Sequence, residues 1–313
     1  MHDLNPQPQI TQLLQFRRRS PVTLQPGVRV SKYAISLPNG EKINWVTSIT
    51  LLFLHIGAVA ALFMFSWKAF LVAAALHWVA VGWGISLGYH RLHTHQSYQC
   101  PLWLEYFLAV CGTLTLEGGP MFWVGTHRVH HSKSDLPGDP HSPREGAFWS
   151  HMGWIVLGET NHNDSKFMAK YCPDLARHKF YWWLNTYHWI PVALTGVLLL
   201  AFGGLPMFLW GFCLRIVYGL HCTWLINSAT HIFGRRRFAT GDDSRNSFIL
   251  AVLTFGEGWH NNHHAHQTSA RHGLAWYELD ISWITLKVMK ALGLAWGIRA
   301  AKLDSRALAQ KAA

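Results

Sequence analysis

Charged side chains are scarce in this sequence of 313 residues. Asp, Glu, Lys and Arg together make up 14 %, while 50 % of the residues are hydrophobic. An ordinary soluble domain carries about 25 % charged residues, so the composition argues against a purely soluble globule. Acids are especially few, because 16 Asp and Glu stand against 27 Lys and Arg, which leaves a net charge of +11. The many aromatic residues in apolar runs exclude a disordered chain.

Paired cysteines and an export signal are also missing. The five cysteines, at positions 100, 111, 172, 213 and 222, form no C-x-x-C pair, so we expect small buried residues and no disulfide framework. The N-terminal residues lack the apolar core of a secretory signal, so we expect no cleavage for export. No nucleic-acid motif follows the arginines at 17–19, which favours a cytoplasmic membrane flank and no nucleic-acid partner.

Long uncharged runs predict four membrane-spanning helices in two hairpins. Residues 44–67 carry no formal charge, and residues 69–89 form a second such run after Lys68. Each run covers the roughly 20 residues that a spanning helix requires. A second pair, 188–204 and 207–227, is joined at Gly-Gly-Leu-Pro and contains one charge, Arg215, which we expect to face protein or water.

The remaining apolar segments complete the predicted organisation. Residues 101–123 are interrupted by acids and paired glycines, so we interpret them as interfacial or re-entrant. Four spans place both termini on one side, and arginines at 17–19 and 235–237 predict that this side is the cytoplasm. We expect a cytosolic segment over 1–43, a four-span domain over 44–280, and an amphipathic membrane-surface helix with a tail over 281–313, the helix covering Ile281–Leu303.

Histidine is abundant, with 21 residues, and it is clustered in the motifs GYHRLHTH (88–95), HRVHH (127–131) and HNNHH (260–264). In the last two motifs, histidines at i, i+3 and i+4 share a helix face, so each helix is expected to aim three imidazoles at one point. This pattern predicts a polynuclear metal site on the cytoplasmic face. Iron, copper and zinc all accept such ligands, and a site supplied with oxygen would select iron.

The first motif leaves the choice of ligands open. Helical geometry pairs His90 with His93, because His95 lies about 140° round the helix from His90. Periodicity alone therefore favours a pair that includes His93.

Four stretches resemble the histidine signatures of membrane fatty-acid desaturases of the delta-9, stearoyl-CoA desaturase class. They are HRLHTHQSY, HRVHHSKSD followed by DPH, NSATH, and GEGWHNNHH. The resemblance extends from about Trp45 to about Leu279 and is strongest to the bacterial and plastid-type branch. It implies an all-α membrane protein, with four spanning helices under a cytosolic helical cap that holds a di-iron centre.

The resemblance also implies the metal ligands, and for the first motif it selects the first and last histidines. Nine histidines and one asparagine, which would hold a metal through water, match ligand positions: His90, His95, His127, His130, His131, Asn227, His231, His260, His263 and His264. Six other histidines are not expected to bind metal: His55, His77, His93, His141, His151 and His266. For those inside spans we expect contacts between helices, and for those in DPH and SHMGW a hydrogen-bonded structural role.

Five further positions are assigned to the acyl tunnel by the resemblance. Trp123 and Thr223 match residues that shape its kink, and Trp78 and Gly82 match positions that close its far end. Glu117 stands where relatives often have Gln. An ionised carboxylate is costly in an apolar tunnel, so we expect Glu117 to be protonated or paired with Arg215.

The activity implied is the introduction of a cis double bond, at delta-9, into a saturated acyl chain by two iron ions, dioxygen and two electrons. The sequence has no haem-binding HPGG stretch and no dinucleotide motif, so a separate donor such as ferredoxin or cytochrome b5 is expected. The acyl chain would arrive as acyl-CoA or acyl-lipid at a bacterial inner membrane. Two alternatives remain open: a di-iron fatty-acid or alkane hydroxylase, and a non-enzymatic membrane metal-binding or transport protein.

Overall fold

The computed structural model describes residues 34–36, 42–157 and 164–301, and this part of the chain is mostly helical. Most of the predicted N-terminal segment, and the tail beyond residue 301, lie outside the described residues. The helices are α1 (Trp45–Leu62), α2 (Trp67–Thr94), α3 (Leu102–Thr113), α4 (Pro120–Lys133), α5 (Ser165–Tyr171), α6 (Lys179–Thr186), α7 (Trp189–Ile232), α8 (Phe248–Leu253), α9 (His260–Ala265) and α10 (Ile281–Ala291). Short helical turns occur at 143–145, 149–156 and 175–177.

A small β-hairpin precedes the first helix, and the all-α prediction missed it. Strands β1 (Ala34–Ser36) and β2 (Lys42–Asn44) pair antiparallel, with Ala34 opposite Asn44. Asn44 also caps α1, because its side-chain oxygen accepts a hydrogen bond from the backbone N–H of Thr47 at 3.3 Å. The strand therefore leads directly into the first apolar helix.

The first predicted helical pair is present as α1 and α2, both long and apolar enough to cross a membrane. The turn between them falls before Trp67, earlier than the predicted position at Lys68. Ser66 determines this boundary, because its hydroxyl accepts a hydrogen bond from the N–H of Ala69 at 3.1 Å and caps α2.

The second predicted pair lies within α7, which has 44 residues. At 1.5 Å per residue, a straight helix of this length would span about 66 Å, roughly twice the apolar thickness of a bilayer. Gly204 interrupts it with φ +66° and ψ −168°, which are not helical values. The two arms then pack on each other: a Cβ on Gly196 would lie 2.9 Å from the Phe212 ring, and Gly211 lies against Leu199. Among the described residues, three helices are long and apolar enough to cross a membrane, whereas four were predicted. The third helix, α7, contains both helices of the second predicted pair as its two arms.

The second half of α2 has π-helical hydrogen bonding over Trp78–Thr94. In this geometry an N–H donates to the carbonyl five residues earlier, so residues five apart lie about one turn apart. The backbone N–H of His95 continues the pattern by donating to the carbonyl of His90 at 3.1 Å. This segment packs along α3 and carries the first histidine motif.

Helix α10 ends at Ala291, so the prediction of a helix over Ile281–Leu303 was too long within the described residues. Gly293 has φ +71°, a left-handed conformation that stops the helix. The buried face of α10 carries Leu286, which belongs to a hydrophobic cluster shared with α2 and α3. Its opposite face exposes Ile284 and Val288.

Two other hydrophobic clusters hold the helices around the histidine motifs. One joins α1 to α7, and the other joins α2, α3, α4, α5 and α6. The motifs lie toward the C-terminal ends of α2, α4 and α7 and throughout α9. Packing of these helices therefore brings histidines from four separate parts of the chain to one place.

Candidate metal centre

The nine predicted histidine ligands form two adjacent groups. Within each group, the nitrogen atoms that could bind a metal lie within 4.8 Å of one another. The first group contains His90, His95, His127, His131 and His263, and the second contains His130, His231, His260 and His264. All four rings of the second group are buried, while three rings of the first are half-buried. The first group is therefore the more accessible one.

The histidine triplets on α4 and α9 divide between the two groups, so the expectation that each triplet aims at one point was wrong. On α4, His127 and His131 join the first group while His130 joins the second. On α9, His260 and His264 join the second group, and His263 joins the first. Residues at i+3 and i+4 are rotated by about 100° from each other, so a helix lying between two sites can serve both.

Distances between ring nitrogens within each group suit a bound metal. The Nε2 atoms of His131 and His263 are 3.0 Å apart, as are those of His231 and His260. Nitrogens bound to one metal at about 2.1 Å lie about 3.0–3.4 Å from each other. The Nε2 atom of His264 is buried and has no hydrogen-bond partner among the described residues. Such an orphaned buried nitrogen fits a metal ligand.

Burial keeps five of these rings in the neutral form that binds metal. Removal from water lowers the pKa of His127, His131, His260 and His263 well below its usual value, and neighbouring imidazoles lower it further. Removal from water likewise lowers the pKa of His264 to about 4, against the opposing effect of Asp242. At neutral pH these nitrogens therefore keep their lone pairs.

Four carboxylates bind the outer nitrogens of four of these histidines. The Nδ1 contacts are His90 with Glu257 (2.6 Å), His130 with Asp139 (3.0 Å), His231 with Asp135 (2.8 Å) and His264 with Asp242 (2.6 Å). Such partners of metal-binding imidazoles orient the ring and fix which nitrogen carries the proton. Each Nδ1–H donates to its carboxylate, which leaves Nε2 to face the centre of the group.

The carboxylates are ionised at neutral pH. Burial raises the pKa of Asp139, Asp242 and Glu257, but interactions with the neighbouring histidines, and with Arg91 for Glu257, outweigh it and hold each pKa below its usual range. Together with Asp135, they carry four negative charges, enough to balance two divalent cations. The neutral imidazoles alone could not supply this charge.

These carboxylates were not among the predicted site residues. Asp135 and Asp139 follow HRVHH within four to eight residues, and Glu257 precedes HNNHH, so proximity to a histidine motif was the available signal. Asp242 lies 22 residues before its partner His264. Its role depends on the return of the chain from α7 to α9, and no local pattern indicates it.

Histidines outside the two groups mostly adopt the expected roles. Nε2 of His55 lies 3.1 Å from Nε2 of His221, which links α1 to α7, and His77 contacts the carbonyl of Leu253 at 3.2 Å. His151 has hydrogen-bond partners, including Ser228 at 3.1 Å.

Two other histidines differ from the simplest expectation. His93, favoured by helical periodicity, packs edge-on against Tyr181 with a centroid distance of 5.2 Å, away from both groups. The ring of His141 lies tilted against the His130 ring, with a centroid distance of 4.5 Å, and its buried Nδ1 has no hydrogen-bond partner among the described residues. The hydrogen bond expected for His141 is instead made by its backbone N–H, which donates to Asp139.

The predicted kink residues lie together beside the first group. The indole N–H of Trp123 donates to Glu117 at 2.9 Å, and the Thr223 hydroxyl is a second hydrogen-bond partner of this carboxyl. The Trp123 ring lies 4.9 Å from the ring of His127. Glu117, Trp123 and Thr223 therefore form one polar contact next to the candidate metal site.

Glu117 is not paired with Arg215. The Arg215 guanidinium donates instead to the backbone carbonyls of Leu114 and Gly211. Burial raises the pKa of Glu117 to about 7, so the protonated form is present at neutral pH alongside the ionised form. Its hydrogen-bond donors, Trp123 and Thr223, are neutral, and they only partly offset the effect of burial on its pKa.

The two residues predicted to close the tunnel are in contact. A Cβ on Gly82 would lie 2.9 Å from the Trp78 ring and 3.3 Å from Phe255. Trp78 packs edge-on against Trp83 and is 39 % exposed. Asn227 is half-buried and lies one turn before His231 on α7.

A sequence model of the fatty acid desaturase family matches residues 65–284, the region that supplies both histidine groups. The chain belongs to this family. It is 51 % identical over 270 residues to an sn-1 stearoyl-lipid 9-desaturase of Anabaena variabilis, covering 85 % of this chain and 98 % of the relative. An enzyme of the same name from Synechocystis is 44 % identical, with 87 % and 86 % coverage, and an sn-2 palmitoyl-lipid 9-desaturase of Nostoc is 42 % identical, with 82 % and 90 % coverage. This desaturase is therefore an acyl desaturase, an oxidoreductase of lipid metabolism.

Proposed function

We propose that this desaturase introduces a cis double bond at delta-9 of a saturated acyl chain esterified in a membrane lipid. The observation that carries the proposal is the convergence of nine imidazoles, from four parts of the chain, into two adjacent groups. The names of the three cyanobacterial relatives, all acyl-lipid 9-desaturases, support the position of the double bond and favour a lipid over acyl-CoA as the acyl carrier.

We propose that each histidine group binds one iron ion. The five nitrogens of the first group and the four of the second would be the ligands, and Asn227 would reach the second metal through water. Two iron ions with dioxygen and two electrons would supply the oxidising power needed to remove hydrogen from an unactivated methylene. The four carboxylates would balance the charge of the metals, and the neutral imidazoles would retain them through changes of oxidation state.

The protein itself would determine which carbons react. Trp123, Glu117 and Thr223 would bend the acyl chain beside the first group, which has the more accessible rings. Trp78 and Gly82 would close the far end of the path and limit the chain length. A methylene carries no acidic proton, so position relative to the metals, and no side-chain base, would set the site of reaction.

We propose four membrane crossings, with both arms of α7 spanning the bilayer. Both termini and the metal centre would then lie on the cytoplasmic side of a bacterial inner membrane, and the divisions at residues 43 and 280 would separate the N-terminal segment, the four-span domain and the membrane-surface helix. The fold-back at Gly204 and the histidine motifs toward the C-terminal ends of α2 and α7 support this arrangement.

Two electrons per double bond would come from a separate one-electron carrier, such as ferredoxin or cytochrome b5. The net charge of +11 supports an acidic partner. The same charge would favour anionic lipid at the cytoplasmic surface.

The test is expression in cells that lack unsaturated fatty acids, with double-bond position and lipid class determined by mass spectrometry. A delta-9 cis-monoene in intact glycerolipid is expected from the wild-type protein and from His93→Ala, and none from His130→Ala. An alcohol product would instead indicate a hydroxylase, an acyl-CoA product would overturn the lipid carrier, and absence of any oxidised product would overturn the proposal.

A further inference from the structure

A buried charge network lies behind the first histidine group. Arg91 is fully buried and contacts Glu257 and Asp280, each at 3.0 Å. Glu257 also accepts a hydrogen bond from the hydroxyl of Ser86. Since Glu257 binds Nδ1 of His90 at 2.6 Å, the network ends directly on a proposed metal ligand.

His272 is a further member of this network, and the histidine motifs do not include it. Its side chain is 1 % exposed and its Nδ1 lies 3.3 Å from the second oxygen of Glu257, the same oxygen that binds His90. Its ring centroid is 4.5 Å from that of His263. The backbone is fixed as well, because its N–H donates to Asp280 at 2.8 Å and its carbonyl accepts from Asn262 at 2.9 Å.

The arrangement of His90, Glu257 and His272 could itself suggest a third metal site, since their donor atoms lie within 4.8 Å of one another. The guanidinium of Arg91 excludes it, because this fixed positive charge already occupies one oxygen of Glu257 at 3.0 Å. A second cation on the same carboxylate would be repelled at close range. The three residues are better explained as a hydrogen-bonded support.

The position of the ring proton follows from the acceptors around it. Nη2 of Arg91 is 3.3 Å from Nδ1 of His272, but a carboxyl oxygen of Asp280 is nearer to Nη2, at 3.0 Å. The Glu257 oxygen beside His272 accepts from His90 and has capacity for one more donor. A proton on Nδ1 of His272 satisfies this oxygen, whereas a lone pair there would face a negative charge.

We propose that His272 is a positioning residue of the first metal site. Its Nδ1–H donates to Glu257 and fixes this carboxylate, and Glu257 holds the Nδ1–H of His90 so that Nε2 of His90 faces the metal. The inference rests on the proposed function of the first group as a metal site. Loss of such an outer partner typically weakens metal binding about 10–100-fold, so the loss should fall on the first group and spare the second.

The test compares the iron content of full-length His272→Asn, His272→Gln and His272→Leu, after dialysis against graded concentrations of an iron chelator. The amide nitrogen of Asn can replace Nδ1, whereas that of Gln can replace only Nε2. We expect two irons per chain in wild type and His272→Asn, and one retained iron in the Gln and Leu variants. His93→Leu, a change at a buried histidine outside both groups, should retain two.

Retention of both irons at wild-type affinity by His272→Leu would overturn the proposal. Wild-type iron affinity in His272→Gln together with reduced affinity in His272→Asn would also overturn it. If the Leu variant does not fold, the comparison of Asn with Gln decides. The absorption spectrum of the Co²⁺-substituted proteins gives a second readout, because loss of one site should remove part of the d–d absorption. Product analysis of the same wild-type preparation tests the desaturase function separately, since iron binding does not require turnover.

Discussion

The backbone N–H of His95 donates a hydrogen bond to the carbonyl of His90, five residues earlier, and this π-type contact places both rings in the first histidine group. Their centroids are 4.8 Å apart, while the ring of His93 faces Tyr181. An α-helix would have paired His90 with His93 instead. The local change of helix type thus selects which histidines of the motif converge.

This geometry predicts opposite outcomes for two neighbouring histidines. His95→Ala should lose at least about tenfold in iron affinity at the first group, and desaturation with it, because a ligand nitrogen is removed. His93→Ala should retain iron and activity, with a modest loss of stability from the cavity beside Tyr181. Iron content and product yield of the two purified variants check this. Equal losses of iron would show that the π-type pairing does not define the site.

Asp242 and its neighbour Asp243 provide a matched pair for the outer carboxylates. Asp242 binds Nδ1 of His264 at 2.6 Å, whereas Asp243 forms a partly exposed ion pair with Arg144. Asp242→Asn should lower iron affinity about 10–100-fold, because His264 loses its ionised partner. Asp243→Asn should change stability by at most about 1 kcal/mol and leave iron affinity unchanged. Chelator competition measures both, and wild-type affinity in Asp242→Asn would contradict the role assigned to the carboxylate.

Glu117 predicts a specific pH dependence. Burial raises its pKa to about 7, so about a tenth of the carboxyl is ionised at pH 6 and about nine tenths at pH 8. If the neutral form beside Trp123 suits the acyl chain, wild-type activity should fall relative to Glu117→Gln as the pH rises through 7. Initial rates between pH 6 and 8.5 test this, with Asp243→Asn as the control for the assay. Parallel pH profiles for wild type and Glu117→Gln would rule out this carboxyl as the titrating group.

The position of Trp78 predicts that this residue limits the length of the preferred acyl chain. Its ring lies against Gly82 at the proposed end of the acyl path, so Trp78→Ala should shift the product distribution toward longer chains. Trp276→Ala removes a Trp that is 92 % exposed and should leave the distribution unchanged. Chromatography of the cellular acyl chains distinguishes the two. An unchanged profile in Trp78→Ala would place the end of the path elsewhere.

The sequence predicted those parts of the site that depend on local spacing. The paired apolar runs indicated the helical hairpins, and the motifs with their family resemblance identified all nine histidines that converge. Asn44 and Ser66, which cap α1 and α2, set boundaries within a few residues of those predicted from the apolar runs.

Features that depend on tertiary packing were not predictable from spacing. The division of each triplet between two groups requires a helix that passes between both, and the pairing of Asp242 with His264 joins residues 22 positions apart. His272 becomes part of the support only because two residues distant in sequence contact it. They are Arg91 on α2 and Glu257 in the loop before α9. The short α10 follows from one left-handed residue, Gly293, inside an otherwise apolar periodic stretch.

The most direct test of the central claim is an anomalous difference map, collected at the iron K-edge, from crystals of the iron-loaded full-length protein. Two peaks are predicted, one among His90, His95, His127, His131 and His263 and one among His130, His231, His260 and His264. A single peak, or iron located outside these two groups, would contradict the two-metal account.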